Sequence, residues 1–188
     1  MNSFKGNEIL NLILKKNVDQ AEVYLASTKT LKIDVLNQKV EAVDEIRDQG
    51  LGIRVIKNNK LGFAYSSDFD ESIIAEVIEQ AIANAANSEP DENNVFPSIT
   101  GSQDPLRLCL YDTMIAETPL QKKIELALKI EESARAADRR ITKTEKVSYS
   151  DSAVEVRLAN SHGLNINYKL NSCGAFAEMI AEQNGEME

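Results

Sequence analysis

The stretch Leu51–Ser66, LGIRVIKNNKLGFAYS, decides the fold of this chain. It holds two short runs rich in apolar and β-branched residues, with Asn58-Asn59 between them. Asparagine tolerates the positive φ angles that a two-residue hairpin turn requires. The sequence therefore predicts two antiparallel strands, 51–57 and 61–66, joined by a tight turn.

Working outward toward the N-terminus, the same alternation recurs. Residues 21–26, 31–35 and 39–46 each carry strand patterns, and Asn37-Gln38 falls where a hairpin turn is expected. A short amphipathic helix over 7–16 precedes them. Parallel strands would need crossovers of a dozen or more residues, so these short connections predict an antiparallel meander of five strands.

Two helices follow the meander. Asp68 and Glu71 have the spacing of a capping box, which predicts a helix that begins at Asp68. A second helix is predicted from Thr118 as the cap, with Pro119 in its first position and Gln121 completing the box. The apolar positions at helical spacing in the first helix are Ile73, Ile74, Val77, Ile78, Ala81, Ile82 and Ala85.

Residues 87–117 separate the two helices and contain Pro90, Pro97 and Pro105. A stretch of this length without periodicity is unusual within one domain, so it is predicted to be a long loop that is mobile or lies across another surface. Several apolar residues favour partial docking of this loop. They are Val95, Phe96, Leu106, Leu108 and Leu110.

Strand patterns return after the second helix, over 154–158, 164–170 and 173–181, with Asn160-Ser-His-Gly163 as a turn. The predicted fold class is therefore α+β. It consists of antiparallel meander sheets packed with two main amphipathic helices, and of a second strand block at the C-terminus. The chain stops soon after Asn184-Gly185, which favours an interrupted sheet over a finished domain.

Charge and composition exclude several classes of function. The net charge is −9, and an acidic protein repels the phosphate backbone of a nucleic acid. Aromatic residues make up 5% and Trp is absent, so stacking platforms for bases are not expected either. No apolar run is long enough for a membrane span, and the N-terminus lacks the features of a signal peptide. A cytoplasmic location is expected.

The residues that carry catalysis in most hydrolases are scarce. The chain has one histidine, His162, and two cysteines far apart in sequence, Cys109 and Cys173. A zinc site usually needs three or four ligands close together, so no zinc site is predicted, and no serine lies in a nucleophile elbow. We expect His162 in a turn and the two thiols to be buried or half-buried. No catalytic, metal-binding or cofactor-binding residue is assigned.

One residue is a candidate for binding. Arg54 lies in the middle of a predicted strand, between Ile53 and Val55, and points away from the apolar face. Two interpretations stay open at this point. Arg54 is an ordinary surface charge, or it contacts a partner or a peptide carboxylate.

Several segments together resemble the TldD/PmbA family. Ala21-Glu-Val-Tyr24, Gly50-Leu-Gly-Ile-Arg-Val55 and Gly62-Phe-Ala-Tyr-Ser-Ser-Asp68 are similar to the N-terminal half of these proteins. Later segments resemble the PmbA (TldE) branch, and the likeness extends over essentially the whole chain. These segments are Asp138-Arg-Arg-Ile-Thr-Lys-Thr-Glu145, Asn160-Ser-His-Gly163 and Ile180-Ala-Glu-Gln-Asn-Gly-Glu-Met-Glu188.

The resemblance implies a cytoplasmic metallopeptidase complex that trims peptides, including microcin precursors. In that family the TldD-type subunit carries a zinc motif, His-Glu-x-x-x-His, in its C-terminal half, and the PmbA-type subunit lacks it. Zinc is thus expected only in a TldD-like partner. Residues 1–188 would form the N-terminal domain of a PmbA-like protein, without its C-terminal domain, and no family catalytic residue can be carried over to this chain.

Two functions remain open. In the first, the chain is a non-catalytic domain that assembles with a TldD-like subunit, or with itself, and handles a peptide substrate by adding it to a sheet edge as an extra strand. In the second, it is a regulatory protein-binding module of the DNA gyrase modulator type with no role in proteolysis. Its acidic surface would then compete for basic surfaces on a DNA-binding partner.

Overall fold

The computed structural model describes residues 6–98 and 108–187. Within these ranges the helices are α1 (Gly6–Leu14), α2 (Glu71–Asn87), α3 (Thr113–Glu117) and α4 (Leu120–Ala136). The strands are β1 (Gln20–Leu36), β2 (Lys39–Lys57), β3 (Lys60–Ser66), β4 (Ile141–Asn160), β5 (Asn165–Gln183) and β6 (Glu186–Met187). Their order in the sheet is β3-β2-β1-β4-β5-β6. The predicted α+β class with antiparallel pairing is confirmed.

The predicted five-strand meander is wrong in its strand count. Predicted strands 21–26 and 31–35 are one strand, β1, and 39–46 and 51–57 are one strand, β2. Between Gln20 and Ser66, positive φ occurs only at the two predicted turns, and the chain reverses direction only there. Asn37 and Gln38 have φ of 51° and 59°, and Asn58 and Asn59 have φ of 51° and 61°. The polar residues between the two predicted pieces of β1 do not break the strand, because they include Thr28 and Thr30, and threonine favours extended backbone.

The strands predicted near the C-terminus are likewise parts of longer strands. Predicted strand 154–158 is the end of the much longer β4, and 164–170 and 173–181 form the single strand β5. The turn at 160–163 is confirmed, with Gly163 at φ 85°. Asn184 and Gly185 then make a further turn, which sets the short strand β6 antiparallel to β5 with Gln183 opposite Glu186.

Both predicted helix starts are wrong by a few residues. Helix α2 begins at Glu71 after Asp70, and Asp68 accepts a hydrogen bond from the Asp70 backbone instead of capping the helix. Helix α4 begins at Leu120 after Pro119. Thr118 instead closes α3, where its hydroxyl donates to the Met114 carbonyl at 2.6 Å. A short polar side chain satisfies whichever backbone group it reaches first, so cap signals mark a helix end only to within a few residues.

The chain divides into two compact units. Unit 1 takes the described residues of Met1–Ser27, Asp48–Leu108 and Val154–Lys169. Its core lies between α1, α2 and one face of the strands, and Gly62 lets α2 approach closely, because a Cβ there would lie 2.0 Å from the Ala81 carbonyl oxygen. The buried residues of this core include Ile9, Ile13, Val23, Ile53, Val55, Ile74, Ile78 and Ala81.

Unit 2 takes the described residues of Thr28–Arg47, Cys109–Ala153 and Leu170–Glu188. Its smaller core packs α4 against the strands, with Ile33, Val35, Ala127, Val147 and Tyr149 as the buried residues. Most side chains of β2 from Lys39 to Arg47, and those of β5 from Ser172 to Glu178, are exposed. The helix therefore covers only part of this unit's strands.

The predicted long loop holds the short helix α3, which was not predicted from the sequence. Of its apolar residues, Phe96 is buried at 4% exposure, so docking is confirmed at this one position. Val95, Leu108 and Leu110 are exposed, at 63%, 68% and 39%, which corrects the expectation for them. Leu106 and Pro105 lie outside the described residues.

Candidate functional site

An open sheet face in unit 1 carries the candidate site. Strand alternation sends Val23, Ile53 and Ala64 into the core and leaves the neighbouring side chains on the other face. The register pairs Arg54 with Phe63 and Gly52 with Tyr65 across β2 and β3. Side chains from three adjacent strands thus meet on a face that α1 and α2 do not cover.

This face forms a groove of about 740 Å³, which we call the glycine groove. Gly50 and Gly52 of β2 form its floor, since they carry no side chain. A Cβ at Gly52 would lie 3.3 Å from the Phe63 ring, whereas one at Gly50 would meet only the Ser66 carbonyl oxygen, at 3.9 Å. The lining residues are Glu22, Tyr24, Ala26, Gln49, Gly50, Leu51, Gly52, Arg54, Phe63, Tyr65, Ser66, Ser67 and Leu158.

Aromatic rings form one wall of the glycine groove. Phe63 and Tyr65 stack with their ring centroids 5.9 Å apart and an interplanar angle of 19°. They are 50% and 77% exposed, and Tyr24 on β1 is 43% exposed. Large rings held this open to water are enriched where proteins bind other molecules, since they bury much area at little cost in entropy.

An ion pair lies at one end of the groove. Arg54 donates from Nε to Glu22 Oε1 at 2.8 Å, and its Nη2 donates to the same oxygen. The Glu22 side chain is 3% exposed and that of Arg54 is 46% exposed. The Arg54 Cζ also lies 5.2 Å from the centroid of the Phe96 ring, within the range of a cation–π contact.

Phe96 is itself held in place. Its backbone N–H donates to Gln20 Oε1 at 2.9 Å, and the adjacent Pro97 carbonyl accepts from Asn160 Nδ2 at 2.8 Å. The guanidinium of Arg54 is thus fixed by a carboxylate and a ring. Among the described residues, its Nη1 makes no hydrogen bond, so that nitrogen can still donate to a bound molecule.

A second group of polar side chains is buried in unit 2. The Lys123 ammonium on α4 lies 2.7 Å from Asp151 Oδ2, and the Tyr149 hydroxyl donates to the same oxygen at 3.0 Å. Burial raises the pKa of Tyr149, and the hydrogen bond to Asp151 raises it further. Tyr149 therefore stays protonated at neutral pH, and the group joins α4 to β4 without supplying a base.

The other residues considered from sequence do not join either cluster. His162 is exposed in its turn, where the side chain of Asn160 accepts from its backbone N–H at 2.9 Å. Cys109 and Cys173 are both exposed, which corrects the expectation that they are buried or half-buried.

The residues do not fit a zinc ion. Across residues 6–98 and 108–187, no three side chains of His, Cys, Asp or Glu come together as a metal site would require. His162 is the one histidine of the sequence, so no second imidazole of this chain can complete a ligand set.

Arg54 was predicted from the sequence as a candidate, whereas its surroundings were not. A signal for the groove does exist in Gly62-Phe-Ala-Tyr65, because the small residues there alternate with the large ones. Small residues on one face permit a close helix, and the rings are then left on the other face. No such signal indicates that Glu22 and Phe96 contact Arg54, since both lie far from it in sequence.

Comparison with known proteins decides the family. The family model described as PmbA/TldA metallopeptidase domain 1 matches residues 21–85, and that of the PmbA/TldA metallopeptidase central domain matches residues 115–188. The chain belongs to the PmbA/TldD family. The resemblance seen in the sequence is thereby confirmed.

Curated relatives of this family member are longer proteins. Metalloprotease PmbA of Escherichia coli O157:H7 is 33% identical over 176 residues, which cover 90% of this chain and 38% of that protein. A Metalloprotease TldD homolog of Haemophilus influenzae is 26% identical over 146 residues, which cover 78% of this chain and 29% of that protein. The chain thus spans about two fifths or less of the length of these relatives.

Solved structures show the same fold. TldE from Thermococcus kodakarensis superposes with a TM-score of 0.77 at 20% identity, covering 96% of this chain and 40% of that one. A candidate modulator of DNA gyrase from Bacteroides thetaiotaomicron gives a TM-score of 0.81, also at 20% identity, with 96% and 41% covered. None of the described helices of this chain is long and apolar enough to cross a membrane.

Proposed function

We propose that this chain is the non-catalytic N-terminal part of a PmbA-type subunit in a TldD/PmbA-like metallopeptidase complex. It assembles with a TldD-like subunit in the cytoplasm, and the zinc belongs to that partner. Its second role is to hold peptide substrate. The glycine groove is the observation that carries this second role.

The groove suits one or two side chains of an extended peptide. Its volume of about 740 Å³ lies within the ~300–1,000 Å³ typical of ligand sites. Tyr24, Phe63 and Tyr65 offer apolar contact, while the floor at Gly50 has open space above it. The free Nη1 of Arg54 would take a carbonyl or carboxylate oxygen of the peptide, which is the second interpretation of this residue from sequence.

Strand addition at the edge of β3 is the less favoured route. Asn84 of α2 donates from Nδ2 to the Phe63 carbonyl at 2.8 Å. Further along, the Asn59 carbonyl accepts from the Asp91 backbone and from Asn94 Nδ2, at 2.9 and 3.0 Å. A peptide would have to displace these contacts, so we place it over the face of the sheet.

The test of peptide handling uses a fluorescein-labelled, uncharged peptide of alternating Phe and Ser residues. We expect its anisotropy to rise with wild-type protein, and Tyr65→Ala and Gly50→Val to weaken binding at least tenfold, ~1.4 kcal/mol. Tyr111→Ala is the matched control, because Tyr111 is also exposed, at 39%, and lies outside the groove. Equal binding by Tyr65→Ala and Tyr111→Ala would rule out the groove as the peptide site.

The test of assembly is a pull-down with a TldD-like subunit at low and high salt. Retention of that subunit at both salt concentrations, together with slower peptide cleavage when residues 1–188 are deleted from the reconstituted pair, supports the proposal. Unchanged cleavage after that deletion contradicts it. Neither result depends on the glycine groove, so assembly and peptide binding are tested separately.

The alternative function is a regulatory module that binds gyrase and takes no part in proteolysis. One observation favours a basic partner of some kind. Between Lys39 and Asp48, β2 exposes four acidic residues, Glu41, Asp44, Glu45 and Asp48, and two basic residues, Lys39 and Arg47. Retention of gyrase but not of a TldD-like subunit at low salt, lost at high salt, would support this alternative.

A further inference from the structure

The outer edge of β5 in unit 2 has backbone groups that no described strand satisfies. The Asn171 N–H points to this edge, where it donates to the Leu110 carbonyl at 3.0 Å, and Gln183 pairs there with Glu186 of β6. The Glu182 N–H points to the opposite edge of β5, where it donates to the Arg140 carbonyl at 2.8 Å. Along a strand, the N–H and C=O groups of successive residues point to opposite edges. The backbone groups of the odd-numbered residues from 173 to 181 therefore point to the open edge.

The side chains along this segment are unusual for an edge. Residues 172–178, Ser-Cys-Gly-Ala-Phe-Ala-Glu, are all exposed, and Glu178 is the only charged one. Phe176 is 50% exposed. A Cβ at Gly174 would meet no atom within 4 Å. Proteins usually protect an edge strand with charges, because an apolar edge pairs with other chains.

The other free edge of unit 2 is protected in that way. β3 pairs with β2 only from Leu51 to Lys57, so β2 from Lys39 to Arg47 has no strand beyond it among the described residues. That segment carries five charged side chains, which are Lys39, Glu41, Asp44, Glu45 and Arg47. Val40, Val43 and Ile46 are also exposed on that segment, so what distinguishes the β5 edge is that it carries a single charged residue among 172–178.

We propose that β5 of a second copy of this chain pairs antiparallel with this edge, about a two-fold axis at Phe176. The proposal concerns two identical chains, and it goes beyond the assembly with a TldD-like subunit proposed above. The pairing joins two sheet edges through backbone hydrogen bonds. It requires no contact from side chains outside β5.

The sequence of the edge is complementary to itself in this register. Cys173 falls opposite Met179 and Ala175 opposite Ala177, and these odd-numbered residues exchange the backbone hydrogen bonds. Phe176 falls opposite its own copy at a non-hydrogen-bonded position, where side chains are closest and paired rings are favourable. Glu178 falls opposite Gly174, so no like charges meet. The window is bounded by Asn171 and by β6, both of which already have partners on this edge.

Phe176 offers a substitution that should spare the monomer. The Lys146 ammonium lies 5.8 Å from the centroid of its ring, so Phe176→Glu gives Lys146 a carboxylate within the same chain. Across the two-fold axis the same substitution sets two carboxylates opposite each other, which is unfavourable. Ala175→Pro is an independent variant, because proline removes an N–H that points to the partner and leaves the internal ladder intact.

Sedimentation equilibrium over a wide range of concentration tests the pairing. We expect the wild-type chain to change from 20.8 kDa to twice that mass as its concentration rises. Phe176→Glu and Ala175→Pro should each weaken dimerisation by about tenfold or more. Val43→Glu on the charged β2 edge is the matched control, and it should dimerise like wild type.

Cross-linking tests the register and the identity of the partner. In a Cys109→Ser background, Met179→Cys should form a disulfide between copies with Cys173, because paired Cα atoms ~5.5 Å apart suit a disulfide. Ile180→Cys should not, since its side chain lies on the opposite face of the strand. A wild-type chain that stays monomeric, or a dimer unaffected by Phe176→Glu and Ala175→Pro, would overturn the proposal. Equal cross-linking at positions 179 and 180 would overturn it too.

Discussion

The carboxylate of Glu131 on α4 accepts a hydrogen bond from the backbone N–H of Gln38 at 2.7 Å, in the turn between β1 and β2. The Asn37 N–H donates to the other oxygen of the same carboxylate at 2.8 Å. Glu131 is fully buried, and both turn residues have positive φ. One acidic side chain thus satisfies the backbone of a hairpin turn formed by residues far away in sequence.

Removal of this carboxylate should destabilise the protein markedly. We expect Glu131→Ala to lower the free energy of unfolding by about 2–4 kcal/mol, because two backbone N–H groups of the turn lose their charged acceptor and the buried side chain is removed. Urea denaturation followed by circular dichroism measures this change. Glu132→Ala is the matched control, since Glu132 is exposed, and its effect should stay within about 0.5 kcal/mol. Similar losses for the two variants would contradict this account.

The same carboxylate should make stability depend on pH in acid. Burial raises the pKa of Glu131, but the hydrogen bonds from Gln38 and Asn37 outweigh it and hold the pKa below the ordinary value. A lowered folded-state pKa contributes stability that is present above the unfolded pKa, ~4.3, and is lost as pH falls through the folded pKa. The stability difference between wild type and Glu131→Gln should therefore shrink below about pH 4. If the stability difference between the two proteins grows toward acid pH, the proposed effect of Glu131 is refuted.

The buried pair of Lys123 and Asp151 should be strongly coupled. Their side chains are 8% and 14% exposed, so Lys123→Met leaves Asp151 without its cation and should cost about 3–5 kcal/mol. Asp151→Leu should be costly for the converse reason. The double variant should lose much less than the sum of the two single losses, which a double-mutant cycle in urea measures. Additive losses would mean that the two groups do not interact.

Two glycines of the same sheet should respond differently to a methyl group. Gly62→Ala puts a Cβ 2.0 Å from the Ala81 carbonyl oxygen and 2.4 Å from the Ala85 nitrogen, so α2 must move away from β3. We expect a loss of about 3 kcal/mol or more in thermal or urea unfolding. Gly50→Ala is the control, because its Cβ meets only one atom, at 3.9 Å, and it should be close to neutral or stabilising. A small loss of stability in Gly62→Ala would show that α2 packs loosely against β3.

Local patterns were sufficient for the hairpin turns and the helix faces. Asn37-Gln38 and Asn58-Asn59 were predicted as turns because their side chains tolerate positive φ, and that preference acts without help from distant residues. The buried residues of α2 follow the predicted spacing, since a helix repeats every ~3.6 residues wherever it lies. The fold class followed from these two features.

Strand lengths and the site could not be read in the same way. Polar residues inside β1 and β2 look like breaks in sequence, yet pairing with neighbouring strands holds them extended. The environment of Arg54 depends on Glu22 and Phe96, which chain folding brings to it from two other segments. No local pattern carries information about such contacts.

The sequence by itself determined the α+β class, the two Asn-containing turns of the meander and the resemblance to the PmbA/TldD family. Each of these depends on neighbouring residues, or on motifs in a fixed order, so no tertiary contact is needed to recognise it. Only the tertiary structure decided that Gly50 and Gly52 form the floor of a groove and that Glu131 holds a distant turn. It also decided that, within the part of the chain that the structure describes, residues 172–178 of β5 are exposed and have no strand beyond them, because burial and strand pairing depend on the whole fold.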